Sequence, residues 1–285
     1  MTRSQYTFRS ILLLPLLAAG LTACSGQPSE DARPLVMVSV QPQQYLVERL
    51  AENRVRVALM IPVGASPTTY APELKDLRNL SEADLYVKVG HPHFPFEKAW
   101  LDQILLDHDS VPVVNCAQVL DEEDDDPHIW VTPESARMMA VAIKAGLEPL
   151  LPDDREALNQ NLSALIDEME ALDEEIQSNL QMRQSDAFFV LHPAWGHFAE
   201  HYGLEQVAIK PDHKATDART LAQVIERARQ EKTDWILVQP QFSTDPAQTV
   251  ADATGAEVVV IDPLAYDWPE TLRRLSRLIG SGNTP

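Results

Sequence analysis

The sequence predicts an α/β fold of two lobes, each a small parallel sheet flanked by helices, joined by one long spine helix. Three observations carry this. Short runs of Val, Ile and Leu alternate with amphipathic segments on both sides of the chain's middle. One apolar stripe, about 30 residues long, separates the two alternating regions. Hydrophobic residues make up 45% and charged residues 23% of the 285 positions, which suits one large domain or two lobes and argues against bulk disorder.

In the first lobe, residues 35–131, the runs 35–40, 55–61, 85–89 and 111–114 are too short for helices and read as buried strands. Helices are predicted between them, over 43–52 and over 73–83, where Leu74, Leu77 and Leu80 share a face. The helical segment, 132–185, starts at Thr132-Pro133-Glu134, with Thr as N-cap and Pro in the first turn, and its first helix runs to about residue 147. Asp153 and Glu156 have the spacing of a capping pair. Beyond them Leu158, Leu162, Leu165, Met169, Leu172, Ile176 and Leu180 recur every three or four positions. Such a stripe also suits a coiled-coil oligomer. Its place between two α/β regions favours a spine spanning both lobes of a monomer. In the second lobe, residues 186–285, strands are predicted over 187–191, 206–209, 235–238 and 257–261. Helices are predicted over 196–201, 219–230 and 247–254.

The amino terminus reads as an address. Arg3 and Arg9 precede an apolar run, residues 11–21, that is too short to span a bilayer. Leu21-Thr22-Ala23-Cys24 then resembles a lipobox, so residues 1–23 are expected to be a lipoprotein signal peptide, Cys24 the lipidated residue, and 24–34 a tether. This implies a membrane-anchored, periplasmic or otherwise extracytoplasmic domain. Cys116 would be the one remaining thiol, a small apolar residue at a strand end, with no intrachain disulfide. The formal charge of −20 excludes a nucleic-acid partner and favours cations.

Ligands of open parallel sheets bind beyond the carboxyl ends of the strands. Four of the eight His, namely His91, His93, His128 and His192, fall at such edges, and so does Asp262. Imidazole with carboxylate suits zinc, and also manganese or iron. Any one of these His residues alone is more often a loop or capping residue than a ligand, and Asp262 before Pro263 also suits a turn former. His197 and His201, four apart on a predicted helix, read as a surface pair, and no His-Glu-x-x-His motif accompanies them. The acidic run 121–126 reads as a solvated loop or as a cation collector beside His128.

Taken together, these segments resemble the periplasmic metal-binding proteins of zinc and manganese ABC importers over nearly the whole mature chain. Asp126-Pro127-His128-Ile129-Trp130 resembles the family's Asp-Pro-His-x-Trp motif and is the most specific match. Pro67-Thr68-Thr69-Tyr70-Ala71-Pro72 is similar to its Pro-His-x-Tyr-x-Pro loop. The stretch from Ala83-Asp84-Leu85 through Gly90, Glu97 and Trp100, the group His192, Phe198, Tyr202 and Gly203, and the segments at Gln239 and Asp262 resemble further motifs.

The resemblance implies a cleft site of three His and one carboxylate, with His128, His192 and Asp262 carried over. The position of the first His holds Thr68, and Gln239 stands where the family often has Glu. His93, or else His91, is the expected replacement, since both lie at the next strand end of the same lobe. The implied function is capture of a divalent metal, zinc first and Mn2+ or Fe2+ as alternatives, for the permease of an ABC importer. Capture needs deprotonated ligands, so affinity should fall as pH drops through the imidazole range. Three rivals remain open: the same fold with another metal or a metal complex; a metallo-hydrolase with an open metal position and Glu97 as its one nearby base; and an anchored adhesin.

Overall fold

A computed structural model of the chain describes residues 31–108, 110–119, 125–210 and 217–281. The signal peptide, Cys24 and acids 121–124 lie outside the described residues.

The first sheet contains β1 (Leu35–Val38), β2 (Arg56–Leu59), β3 (Leu85–Lys88) and β4 (Val113–Asn115), all parallel, in the order β2-β1-β3-β4. The second contains β5 (Ala187–Val190), β6 (Glu205–Ala208), β7 (Trp235–Val238) and β8 (Glu257–Val260), also parallel, in the equivalent order β6-β5-β7-β8. Each sheet therefore places its first strand inside. Val36, Met37 and Val38 on β1 are fully buried, as a strand covered on both faces requires.

The helices follow the predicted segments with shifted ends, except the short one over residues 102–107 and the last one, which were not predicted. They are α1 (Gln41–Ala51), α2 (Leu74–Ser81), α3 (Asp102–Asp107), α4 (Pro133–Leu147), α5 (Arg155–Leu180), α6 (Gly196–His201), α7 (Ala218–Glu231), α8 (Asp245–Thr254) and α9 (Trp268–Ser281). Thr132 caps α4 as its sequence suggests: the hydroxyl accepts the Ser135 N–H at 3.1 Å, and Pro133 fills the first position. The spine α5 is 26 residues long, shorter than the stripe suggests. The expected capping pair does not form, because Pro152–Asp154 is a 3₁₀ turn and Asp154, without a side-chain cap, precedes the helix. Helix α9 was not predicted, although Leu272, Leu275 and Leu278 repeat every three residues and Pro269 sits in its first turn.

The spine touches both lobes. Near its start the Asn161 amide donates to Leu50 O of α1 at 2.8 Å, and Arg49 pairs with Glu168. Near its end Arg273 of α9 pairs with Glu175 at 2.8 Å, and Asn179 donates to Ser276 Oγ at 2.9 Å. Gly280 permits this closeness, because a Cβ there would stand 2.0 Å from Asn179 O. The lobes also lock directly. Trp130 Nε1 donates to Pro263 O at 2.7 Å in the interior. Tyr45 meets Tyr266 and Trp268 edge-on, at centroid distances of 5.7 and 6.1 Å. No helix of the described residues is long and apolar enough to cross a membrane.

Candidate functional site

The loops after the strands converge on a cleft. A narrow cavity of about 40 Å³ is lined by Thr68, His128, His192 and Gln239, with Phe94, Trp130 and Phe242 among its apolar walls. A wider opening of about 510 Å³ shares His128 and His192 and adds His93, Asp125, Asp126 and Gln206. The rings of His128 and His192 lie 5.3 Å apart at 72°. One comes from the segment leading into α4, the other from the end of β5.

His128 is held by its own chain. Asp126 Oδ1 accepts the His128 N–H at 3.0 Å and lies 2.6 Å from ring Nδ1. A carboxylate there keeps the proton on Nδ1 and leaves the Nε2 lone pair as the available donor atom. Burial would raise the Asp126 carboxyl, but the hydrogen bond and charge of His128 outweigh it and hold the group below the ordinary carboxylate value. The second lobe then fixes Asp126: His197 Nε2–H donates to the Asp126 carbonyl at 2.8 Å. Beneath the carboxylate lies Gly196, where a Cβ would stand 2.3 Å from Asp126 Oδ2. Gly196→Ala is therefore expected to displace the Asp126–His128 pair and, with His128 as the metal ligand that the sequence resemblance implies, to weaken metal binding by about tenfold. Titration with zinc, with circular dichroism as the check on folding, measures it.

His192 is buried at 8% exposure and stacks against Phe242 at 5.1 Å. Its carbonyl accepts the Gln239 Nε2–H at 3.0 Å, tying the end of β5 to the end of β7. Asp262 follows β8, and its Oδ1 accepts from Gln241 Nε2 at 3.0 Å and from Leu264 N at 2.9 Å. Its neighbours Pro263 and Leu264 line the narrow cavity, and Asp262 itself does not.

The two replacement candidates part company. His91 is turned inward at 4% exposure, and its Nδ1 accepts the His93 N–H at 3.2 Å. His93 is half-exposed at the rim, with Nε2 3.2 Å from Asp125 Oδ1. Only His93 borders a cavity shared with His128 and His192, and neither borders the narrow one that Thr68 lines. Among the described residues no three His, Cys, Asp or Glu side chains are grouped closely enough to hold an ion.

Other residues singled out by sequence have structural posts. Glu97 is buried at 3% exposure and lines neither cavity. It accepts from Ser39 Oγ at 2.6 Å and from the Val89 and Gly90 N–H groups at 2.7 Å each, holding two strand ends together. It does not face the cleft as a base would. Of His197 and His201 only the second is a surface residue: His197 is half-buried and holds Asp126, while exposed His201 lies 3.3 Å from Glu134 and 3.4 Å from Asp173. Cys116 is buried, and burial pushes its thiol up to about 12, so it is inert near neutrality. The role of Asp126 as partner to His128 escaped the sequence reading, although a carboxylate two residues before a strand-end His was there to be read.

Known proteins share this fold. The sequence profile of the family described as zinc-uptake complex component A, periplasmic, matches residues 36–277. The zinc-binding lipoprotein AdcA of Streptococcus pneumoniae serotype 4 is 28% identical over 279 residues, covering 90% of this chain and 55% of that protein. The chain thus spans about half the length of that relative. The high-affinity zinc uptake system protein ZnuA of Yersinia pestis is 25% identical, covering 87% of this chain and 88% of its own. A crystal structure of ZnuA superposes with a TM-score of 0.83 at 33% identity, covering 88% of this chain and all of that one.

Proposed function

Since this chain belongs to the family of periplasmic zinc-uptake complex component A, we propose that it captures zinc outside the cytoplasm and hands it to the permease of an ABC importer. The carrying observation is the pair His128 and His192, presented by different lobes with rings 5.3 Å apart in one cavity. Two neutral imidazoles from opposite walls, with a carboxylate at the edge, form a borderline-soft donor set suited to zinc.

His128, His192 and Asp262 are the proposed ligands. Asp262 completes the set by a small shift of its turn, whose next two residues, Pro263 and Leu264, line the cavity. His93, beside Asp125 at the rim, is the side chain an arriving cation meets first, and buried His91 supports the loop that presents it. The negative surface, −20 overall, concentrates cations at this mouth. The lobes are pinned by the spine and by the Trp130–Pro263 bond, which favours local loop shifts over wide hinge closure on binding. Manganese is the second reading, favoured by the oxygen donors Thr68, on the wall of the cavity, and Asp262, next in sequence to its wall residue Pro263.

The role is transport without catalysis. We assign residues 35–131 and 186–285 to the two lobes and 132–185 to the helical link, with a monomer as the working unit tethered to the membrane through a lipid on Cys24. Mass spectrometry of the mature amino terminus tests the tether, and an unmodified Cys24 would exclude it. Zinc titration tests the site: one zinc per chain is expected, and a chain that takes up no divalent metal would overturn the proposal. Thr68→His restores an imidazole on the cavity wall and is expected to tighten zinc by about tenfold or more. His93→Ala is expected to slow capture with a change in affinity of only a few fold, read by stopped-flow association with a chromophoric chelator as competitor.

A further inference from the structure

Gln239 has a feature that its bond to His192 leaves unexplained. Its side chain is 98% buried, being only 2% exposed, and lines the narrow cavity with Thr68, His128 and His192. Nε2 donates to the His192 carbonyl at 3.0 Å, which fixes the orientation of the amide. Oε1 is buried and has no hydrogen-bond partner among the described residues. A buried carbonyl oxygen left unpaired is costly, and natural proteins rarely keep one without a reason.

What could donate to it is limited. An imidazole that serves as a metal ligand presents a lone pair to the cavity, not an N–H, and Nδ1 of His128 is already engaged by Asp126. A cation brings its own donor, because water on a divalent metal has strongly polarised O–H bonds. The cavity of about 40 Å³ has room for an ion together with ordered water.

On the reading that the cleft captures zinc, we propose that Gln239 selects a zinc ion carrying one water. Its Oε1 accepts a hydrogen bond from the water that fills the fourth position, which Thr68 leaves without an imidazole. Gln239 is thus a positioning residue for the cargo and not a ligand. An amide accepts a hydrogen bond but cannot take up the proton. It anchors the water without turning it into a nucleophile, in keeping with a carrier that releases its metal unchanged.

The test is a double-mutant cycle on the purified full chain, read as zinc dissociation constants for the natural protein, Gln239→Met, Thr68→His and the double variant. Gln239→Met is expected to weaken zinc by about tenfold or more in the natural background. In the Thr68→His background, where the imidazole displaces the water, it should change affinity no more than about twofold. Equal losses in both backgrounds would overturn the proposal and leave Gln239 a strut for His192, and so would an unchanged affinity in the natural background. Failure of the natural chain to bind zinc would instead overturn the reading beneath it, and is seen before any variant is made. Should Gln239→Met fail to fold, the chain loaded with Co2+ decides the matter. Its electron paramagnetic resonance should broaden in 17O-water, and that of Thr68→His should not. No broadening in the natural chain would overturn the proposal.

Discussion

Replacing His128 or His192 with alanine is expected to lower zinc affinity by about 100-fold or more, while the chain stays folded. Structural zinc sites bind with about 10–16 kcal/mol over four ligands, so one ligand carries roughly 3 kcal/mol, and each 1.4 kcal/mol is a factor of ten. The two sites should not behave alike in stability. His192 is more deeply set, at 8% exposure against Phe242, so His192→Ala also opens a small void and destabilises the chain by about 1–2 kcal/mol. His128 is held mainly by Asp126, and its loss leaves the Asp126 carbonyl on His197 but the carboxylate without the His128 ring. Competition with a chromophoric chelator measures the affinities. If either variant bound zinc within threefold of the natural chain, that residue would not be a ligand.

Glu97→Ala is expected to destabilise the fold by about 3 kcal/mol, with a zinc site that is normal whenever the chain is folded. The carboxylate satisfies three donors, Ser39 Oγ and the Val89 and Gly90 N–H groups, and each would lose its partner in the interior. Each such orphan costs about 1–3 kcal/mol, and relief of the buried charge offsets part of the sum. For a chain of this size the loss corresponds to roughly 5 °C in Tm. Burial raises the Glu97 carboxyl above its ordinary value of 4.5, with the hydrogen bonds from Ser39, Gly90 and Val89 opposing it. The folded state therefore holds this proton more tightly than the unfolded chain. The stability linked to it is full below the unfolded value and is lost as pH rises through the folded value. Glu97→Gln does not titrate, so the stability gap between the natural chain and this variant should widen from neutral pH toward 4.5. Denaturant unfolding at several pH values checks this, and a gap that narrowed toward acid would refute the assignment.

Much of this architecture is legible along the chain. Strands buried on both faces leave short apolar runs, the spine leaves a stripe at helical spacing, and Thr132-Pro133 announces α4. These are local signals, because period and capping depend on neighbours three or four residues away. The strand-end histidines were legible for the same reason, since a parallel sheet gathers its loops at one edge. Less local features were missed. The capping pair at Asp153 and Glu156 has the right spacing, yet Leu151 and Pro152 turn the chain into a 3₁₀ entry that preempts it. Helix α9 has a clear stripe, but its burial against α5 depends on Gly280 meeting Asn179, a contact about a hundred positions apart.

The sequence by itself thus determined the element order, the fold class and the residue types offered at the cleft, because each of these follows from periodicity, caps and strand ends. Only the tertiary structure decided which of those residues face one another. Whether His91 points inward and His93 outward depends on how one turn closes, with His93 N–H on His91 Nδ1. That Asp126 orients His128, and that His197 and Gly196 hold Asp126, depends on the docking of one lobe against the other across 71 positions of chain. The bare Oε1 of Gln239 is likewise invisible in any string of letters. A hydrogen bond left unmade is a property of three-dimensional surroundings, and no local pattern encodes it.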